Sequence, residues 1–317
     1  MSRIWVLIVL LVSFMPINAQ EERFVPIKYG DMDHWVVRSI KESGIIGGKT
    51  KTLYEIGPDR RIAENTPYKP EGGTPWASSN VMAKVSGITK TNTSVYRDKR
   101  DDGYCCKMMT HLESCKVMGL INIKVLAAGS VFLGYMREPI SGTKDGLRAI
   151  NWGIPFKERP KALRFDYKVE VPGSPTRIKQ TGFSPKSTVD GPDLCTAVLY
   201  LQKREEDSKG NVTAKRVGTV VVAYGKSTDG WVNGATYNIW YGDIRNHEGY
   251  SEELMGLRSS DYVLNSKGES VILKETGWAD ANETPTHLIV QFSSSHGGAF
   301  IGTIGNTLWV DNVGLVY

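Results

Sequence analysis

The sequence is poor in the features that mark most enzymes and most membrane proteins. After one short apolar run at its start, no stretch is long enough to cross a bilayer, which takes about 20 apolar residues. It has no H-E-x-x-H, no G-x-S-x-G and no G-x-G-x-x-G. Gly48-Lys49-Thr50 resembles the end of a phosphate-binding loop, but the required first glycine would fall on Ser43. Cysteine is scarce, with four residues (Cys105, Cys106, Cys115 and Cys195) and no C-x-x-C, so zinc and thiol redox chemistry have little to work with. Four cysteines allow three full pairings, and the sequence does not choose among them. Cys105 and Cys106 are neighbours on an expected strand and should point to opposite faces, leaving at most one comfortable in a core. The formal charge of +5 is spread along the chain without the basic stripe of a nucleic-acid binder. No segment carries a long, capped helical period, and there are no repeats or low-complexity linkers.

What is present is β patterning from end to end. Leu163, Phe165, Tyr167 and Val169 alternate with Arg164, Asp166, Lys168 and Glu170, the signature of a half-buried strand. Further β-rich runs cover 196–201, 217–223, 271–273 and 287–292, separated by turn clusters such as Lys209-Gly210-Asn211 and Asp229-Gly230. One short helix is expected within 251–260. Many strands with Gly-rich turns point to an all-β fold, a β-sandwich of jelly-roll type. The N-terminus reads as a leader: Arg3, an apolar run over 4–14, then the small-residue end Ile17-Asn18-Ala19. We expect residues 1–19 to be a signal peptide and 20–317 a single domain, whose first part could form a small separate lobe. An exported protein in the periplasm, on the cell surface or secreted follows, with no integral membrane segment after cleavage.

The last strand poses a question of its own. In NTLWVDNVGLVY, Leu308 and Val310 share one face and Val313, Leu315 and Tyr317 share another phase, with the slip at Asp311-Asn312. One extra residue in a strand is a β-bulge. An Asp there can tie down the bulge's backbone or bind a hard cation such as calcium.

Aromatic residues beside polar planar groups are the best candidates for ligand contact. Sugar sites set a ring against the apolar face of a pyranose, with a few placed polar groups fixing its hydroxyls. Trp76 and Asn80 in PWASSN, Tyr135 and Arg137 after Val131-Phe132-Leu133, and Trp240, Tyr241 and Asp243 fit that description. Trp35 and Trp309 are expected to be structural. His296, in a Ser/Gly turn, is expected to be solvated. Two carboxyl groups set across a sugar ring would be needed for glycoside hydrolysis; Asp166 with Glu170, or Glu252 with Glu253, could be nominated, and nothing ranks them.

The closing segment HLIVQFSSSHGGAFIGTIGNTLWVDNVGLVY resembles the C-terminal signature of the "putative carbohydrate metabolism domain" family of Bacteroidetes. GDMDHW, TPWASSN, AAGSVFLGYM and GIPFKERPKALRFDYKV follow that family's order, so the resemblance spans nearly the whole mature chain. It implies a β-jelly-roll of the kind used by carbohydrate-binding modules and some glycan-active enzymes, and exported glycan handling with a polysaccharide or oligosaccharide partner. It supplies no catalytic residues. Similar sugar modules hold a structural calcium between an acidic residue near the first strand and the Asp of the last, which here implies Asp33 and Asp311. Three functions stay open on sequence alone: a glycan-binding β-sandwich protein, a glycoside hydrolase with an unrecognised carboxylate pair, and a structural or adhesion component of the cell surface.

Overall fold

The computed structural model describes residues 22–63, 65–117, 121–182 and 184–317; the expected signal peptide lies outside them. The described chain is almost wholly β, and two large sheets pack face to face as a sandwich. One sheet runs, in spatial order, Val232–Asn238, Ala162–Glu170, Thr307–Val316, Gly103–Met109 and Val95–Arg100, with Phe24–Pro26 added alongside the end of Thr307–Val316. The other is ten-stranded, and its main path is Ile150–Trp152, Ser130–Met136, His287–Ser293, Cys195–Glu206, Val212–Tyr224, Ser270–Trp278 and Asp261–Leu264. This sheet curls until its two ends meet, where the Leu264 N–H donates to Asn151 Oδ1 (2.9 Å).

Strand Cys195–Glu206 shows why the large sheet forms. Its first eight residues, CTAVLYLQ, are buried without interruption. Ala197, Leu199 and Leu201 point into the sandwich core, against Phe165, Val169, Leu308 and Val310. Val198 and Tyr200 point the other way, into the curl, beside Phe132, Trp152 and Ile289. A strand covered on both faces reads as a continuous apolar run instead of an alternating one. The sandwich core extends from Met32 to Leu315 and includes Trp35, Ile56 and Trp76 from the first part of the chain.

The bulge falls at the predicted place. Arg164 pairs with Gly314 and Asp166 with Asp311, so two residues of the last strand oppose one of its neighbour. Asn312 takes the left-handed conformation (φ 51°), which asparagine tolerates better than most residues. The short helix expected within 251–260 is Glu252–Met255; a second, Thr143–Arg148, carries no long periodicity and escaped the pattern. As expected, one of Cys105 and Cys106 joins the core: Cys106 lies in the sandwich core, while Cys105 is buried outside it, its strand's outer face being covered too. Cys105, Cys106 and Cys195 are free thiols, and the side chain of Cys115 lies outside what is described. Among the described residues no helix is long and apolar enough to cross a membrane.

Candidate functional site

The inside of the curled sheet is the natural place to look for a ligand, and it is filled. Besides its apolar side chains it holds the buried ion pair Arg216–Glu275, with Gln202 Nε2 donating to Glu275 Oε1 (2.7 Å). Arg258 Nε meets Asp261 Oδ2 at 2.6 Å, and Arg204 Nη2 donates to the Trp152 carbonyl (2.8 Å). Burial lowers the Arg204 guanidinium to about 10 and, with Arg204 beside it, the His287 imidazole to about 4. These groups answer one another within the curl.

The open concavity lies elsewhere, between strand Thr50–Ile56 and strands Ile88–Asn92, Val95–Arg100 and His111–Val117. It has a volume of about 330 Å³ and is lined by Tyr54, Tyr96, His111, Glu113, Lys51 and threonines 52, 91 and 93. Alternation along each strand supplies these side chains. Thr52 and Tyr54 face outward while Leu53 and Glu55 are buried, and His111 and Glu113 share one face of their strand. Tyr54 and Tyr96 stand 6.4 Å apart at 51°, and Trp35 props Tyr54 from behind edge-on at 6.5 Å.

A chain of charges fixes the polar side of the groove. Lys90 Nζ bonds Glu113 Oε1 and Glu42 Oε1, the latter at 3.0 Å. Glu42 is buried and also accepts from the Thr91 N–H (3.0 Å) and hydroxyl (2.9 Å). Burial opposes the Lys90 charge, but its bonds to Glu113 and Glu42 outweigh that and raise its pKa. Burial likewise opposes the Glu42 charge, and Lys90 and Thr91 outweigh it and lower that carboxyl. Burial lowers the His111 imidazole, so at neutral pH it is uncharged. Its Nε2 is buried without a hydrogen-bond partner.

The residues singled out from sequence separate into three groups. Trp76 (1 % exposed) and Asn80 (2 % exposed) are interior, which corrects their assignment to ligand contact. Trp76 Nε1 donates to the Lys28 carbonyl (3.0 Å) and its ring joins the sandwich core. Asn80 uses its whole amide on backbone: Nδ2 donates to the Tyr54 and Val95 carbonyls (2.9 and 2.8 Å), and Oδ1 accepts from the N–H groups of Ser94 and Val95 (both 2.9 Å). It is therefore a strut behind the groove, clamping the two strands that carry Tyr54 and Tyr96. Trp240, Tyr241 and Asp243 take separate partners: Trp240 is half-buried, Tyr241 packs against the sandwich core and Asp243 is exposed. His247 stacks on Trp240 at 3.7 Å and 19°, Arg245 Nη2 meets Asp243 Oδ2 at 2.6 Å, and the Tyr241 hydroxyl donates to the Pro160 carbonyl (2.7 Å). Tyr135 is half-buried opposite Asn151, and Arg137 is tied to Asp145 (2.7 Å).

The Asp33–Asp311 pair does not assemble as a ligand shell. Among the described residues no group of three or more His, Cys, Asp or Glu side chains is placed to hold a metal ion. Asp311 Oδ2 meets Arg100 Nη1 at 2.8 Å, and Arg100 Nη2 meets Asp166 Oδ2 at 2.9 Å. Asn312 Nδ2 donates to Asp166 Oδ2 (2.8 Å), and the guanidinium lies 3.9 Å over the Trp231 ring. The cation at the bulge is thus an arginine. Asp33 Oδ1 accepts from the Tyr104 N–H (2.7 Å). With Asp166 engaged here, and Glu252 bonded by the Tyr250 hydroxyl, neither nominated carboxylate pair is free.

His296 also departs from expectation, being held and only 10 % exposed at its side chain. Its Nδ1 meets Asp193 Oδ1 at 3.1 Å, and its Nε2 faces Arg177 Nη1 at 2.9 Å. Guanidinium can only donate, so Nε2 is taken up by Arg177, and the Leu194 N–H lies 3.0 Å from Nδ1. Ser295 Oγ bonds Asp193 Oδ1 (2.8 Å). The residue types of a nucleophilic triad are therefore present in the wrong arrangement, since Arg177 occupies the nitrogen that would take the serine proton. Ser294 is fully buried and bonds Thr110 Oγ1 (2.8 Å) and the Gly129 N–H (3.0 Å). The Ser-Ser-Ser-His segment is a tie between loops.

Sequence reasoning missed the groove itself. Its signals were a His-x-Glu pair on one strand face and the threonine-rich 89–93 segment leading to Tyr96.

The described residues thus form an all-β sandwich with an open polar and aromatic groove. The chain belongs to the putative carbohydrate metabolism domain family, whose model matches residues 59–316. Its role is accordingly carbohydrate-related. A comparison with curated proteins finds no match. Among solved structures the chain is similar to a putative glycoside hydrolase from Bacteroides thetaiotaomicron, with 19 % identity and a TM-score of 0.44 over 86 % of this chain and 76 % of that one. A likeness at that level carries no argument about activity.

Proposed function

We propose that this is an exported glycan-binding protein of polysaccharide recognition or utilisation, and that the glycan sits in the groove between Tyr54, Tyr96, His111 and Glu113. The observation that carries the reading is the groove: about 330 Å³, at the low end of ligand-site sizes, with a tyrosine wall facing a few fixed polar groups. The leader-like order of residues 1–19 supports export to the periplasm, the cell surface or the medium.

Binding is favoured over hydrolysis by the carboxylate inventory. Glycoside hydrolysis by the usual routes takes two carboxyl groups facing each other across the bond. Among the described residues Glu113 is the carboxylate that lines the groove, and Glu42, its nearest relative through Lys90, is buried behind it.

Native affinity electrophoresis in gels containing plant and host polysaccharides tests the reading. Retardation in at least one gel is expected, and Tyr54→Ala should reduce it while leaving the melting temperature within a few degrees. Cleared zones of degraded polysaccharide would instead establish an enzyme. Unretarded migration in every gel would turn attention to protein partners.

A further inference from the structure

The charges and dimensions of the groove say which saccharides it suits, given that it is a glycan site at all. Two cations and two anions surround it. Lys90 is bound to both Glu42 and Glu113, and Lys51 stands at the lining without a bonded carboxylate among the described residues. An acidic sugar would set its carboxylate or sulfate against Glu113, and Lys90 is already committed. A basic sugar would meet Lys51 and Lys90. What remains unanswered is hydrogen-bonding capacity and aromatic surface: the open side of Glu113 and the Tyr54 ring held upright by Trp35. Those groups suit uncharged hydroxyls and the apolar face of a ring. The volume holds one or two sugar units and not a long run of them.

We infer that the groove selects a short stretch or chain end of a neutral glycan, with Glu113 accepting sugar hydroxyls and Tyr54 stacking on the ring. Glu113 is then the specificity-determining residue, and the Lys90–Glu42 pair behind it fixes its direction.

Isothermal titration of the full mature chain with neutral oligosaccharides of increasing length, against uronic-acid and sulfated oligosaccharides, tests this. The expected result is binding of at least one neutral series, with affinity levelling off at the disaccharide. Raising NaCl from ~0.05 to ~0.5 M should change Kd less than about twofold, because no net charge is exchanged. Glu113→Gln should weaken binding about tenfold or more, the loss of a hydrogen bond to a charged acceptor. Thr52→Arg, at an exposed position on the lining, should block binding with the fold intact and covers the case in which Glu113→Gln fails to fold. Tight binding of an acidic series that collapses with salt, or affinity climbing steadily to the hexamer, would overturn the inference and leave the glycan-binding reading standing. Failure of every saccharide to bind, or binding indifferent to both Tyr54→Ala and Thr52→Arg, would overturn the groove as a glycan site.

Discussion

Trp76 and Trp240 are the same residue type in similar polar surroundings of sequence, and the fold assigns them opposite jobs. Trp76 is enclosed in the sandwich core, and Trp240 lies half-exposed under His247. Replacing Trp76 by alanine removes a buried indole and leaves a cavity, at a cost of about 3–5 kcal/mol. Trp240→Ala at the surface should cost less than about 1 kcal/mol. Urea titration of the two variants checks this; equal losses would place Trp240 in a structural role. Nothing local separates the two tryptophans, because exposure is decided by strands far away in sequence. Asn80 is similar: its four backbone bonds join segments 15 and 26 residues distant. The sequence drew attention to the right neighbourhood there, but the residue works behind the site and not in it.

At the scale of elements, the last strand was the most legible part of the chain. Its hydrophobic phase slip located the bulge to the residue, because a period of two leaves no other way to keep both halves facing the core. What fills the bulge was not legible, since Arg100 arrives from a strand 211 residues earlier. Burial raises the Asp311 carboxyl to about 6 even with Arg100 bonded to it, so this guanidinium is essential to the joint. Arg100→Met would leave Asp166 and Asp311 buried without their cation and should destabilise by about 3–5 kcal/mol. Calcium should not raise the melting temperature of the natural chain, whose bulge already holds a positive charge. A calcium-dependent rise measured by scanning calorimetry would restore the Asp33–Asp311 metal staple.

For the whole molecule, a buried cluster joins the first part of the chain to the sandwich. Arg38 bonds Glu55 Oε1 (3.1 Å) and both oxygens of Glu138, and Ser78 donates to Glu55 Oε2 (2.8 Å). One guanidinium faces two carboxyls. Glu138 receives further bonds from the N–H groups of Tyr68 and Met82 (2.8 and 2.7 Å), so Glu55 is the weaker-held of the two. Burial, opposed by Arg38 and reinforced by Glu138, pushes Glu55 from 4.5 up to about 7. A carboxyl raised in the folded state favours folding fully below its unfolded value and loses that contribution as pH rises through the folded one. Stability should therefore fall by up to about 3 kcal/mol between roughly pH 4.5 and pH 7, other groups aside. Glu55→Gln should flatten that decline and be more stable than the natural chain at pH 8. Parallel denaturant titrations at several pH values decide it, and identical slopes for the two proteins would remove Glu55 as the cause.

The sequence by itself determined the all-β class, several central strands, the bulge and the family, because these depend on the period of hydrophobicity and on contiguous motifs. Only the tertiary structure decided where a ligand can enter. The curled sheet consumes its own concave face with buried ion pairs, and the open groove is assembled from four strands spread over residues 50–117. Its tyrosines, histidine and glutamate are ordinary strand residues one at a time. They become a site because distant strands turn the same faces toward one space, and that convergence is set by long-range pairing and packing.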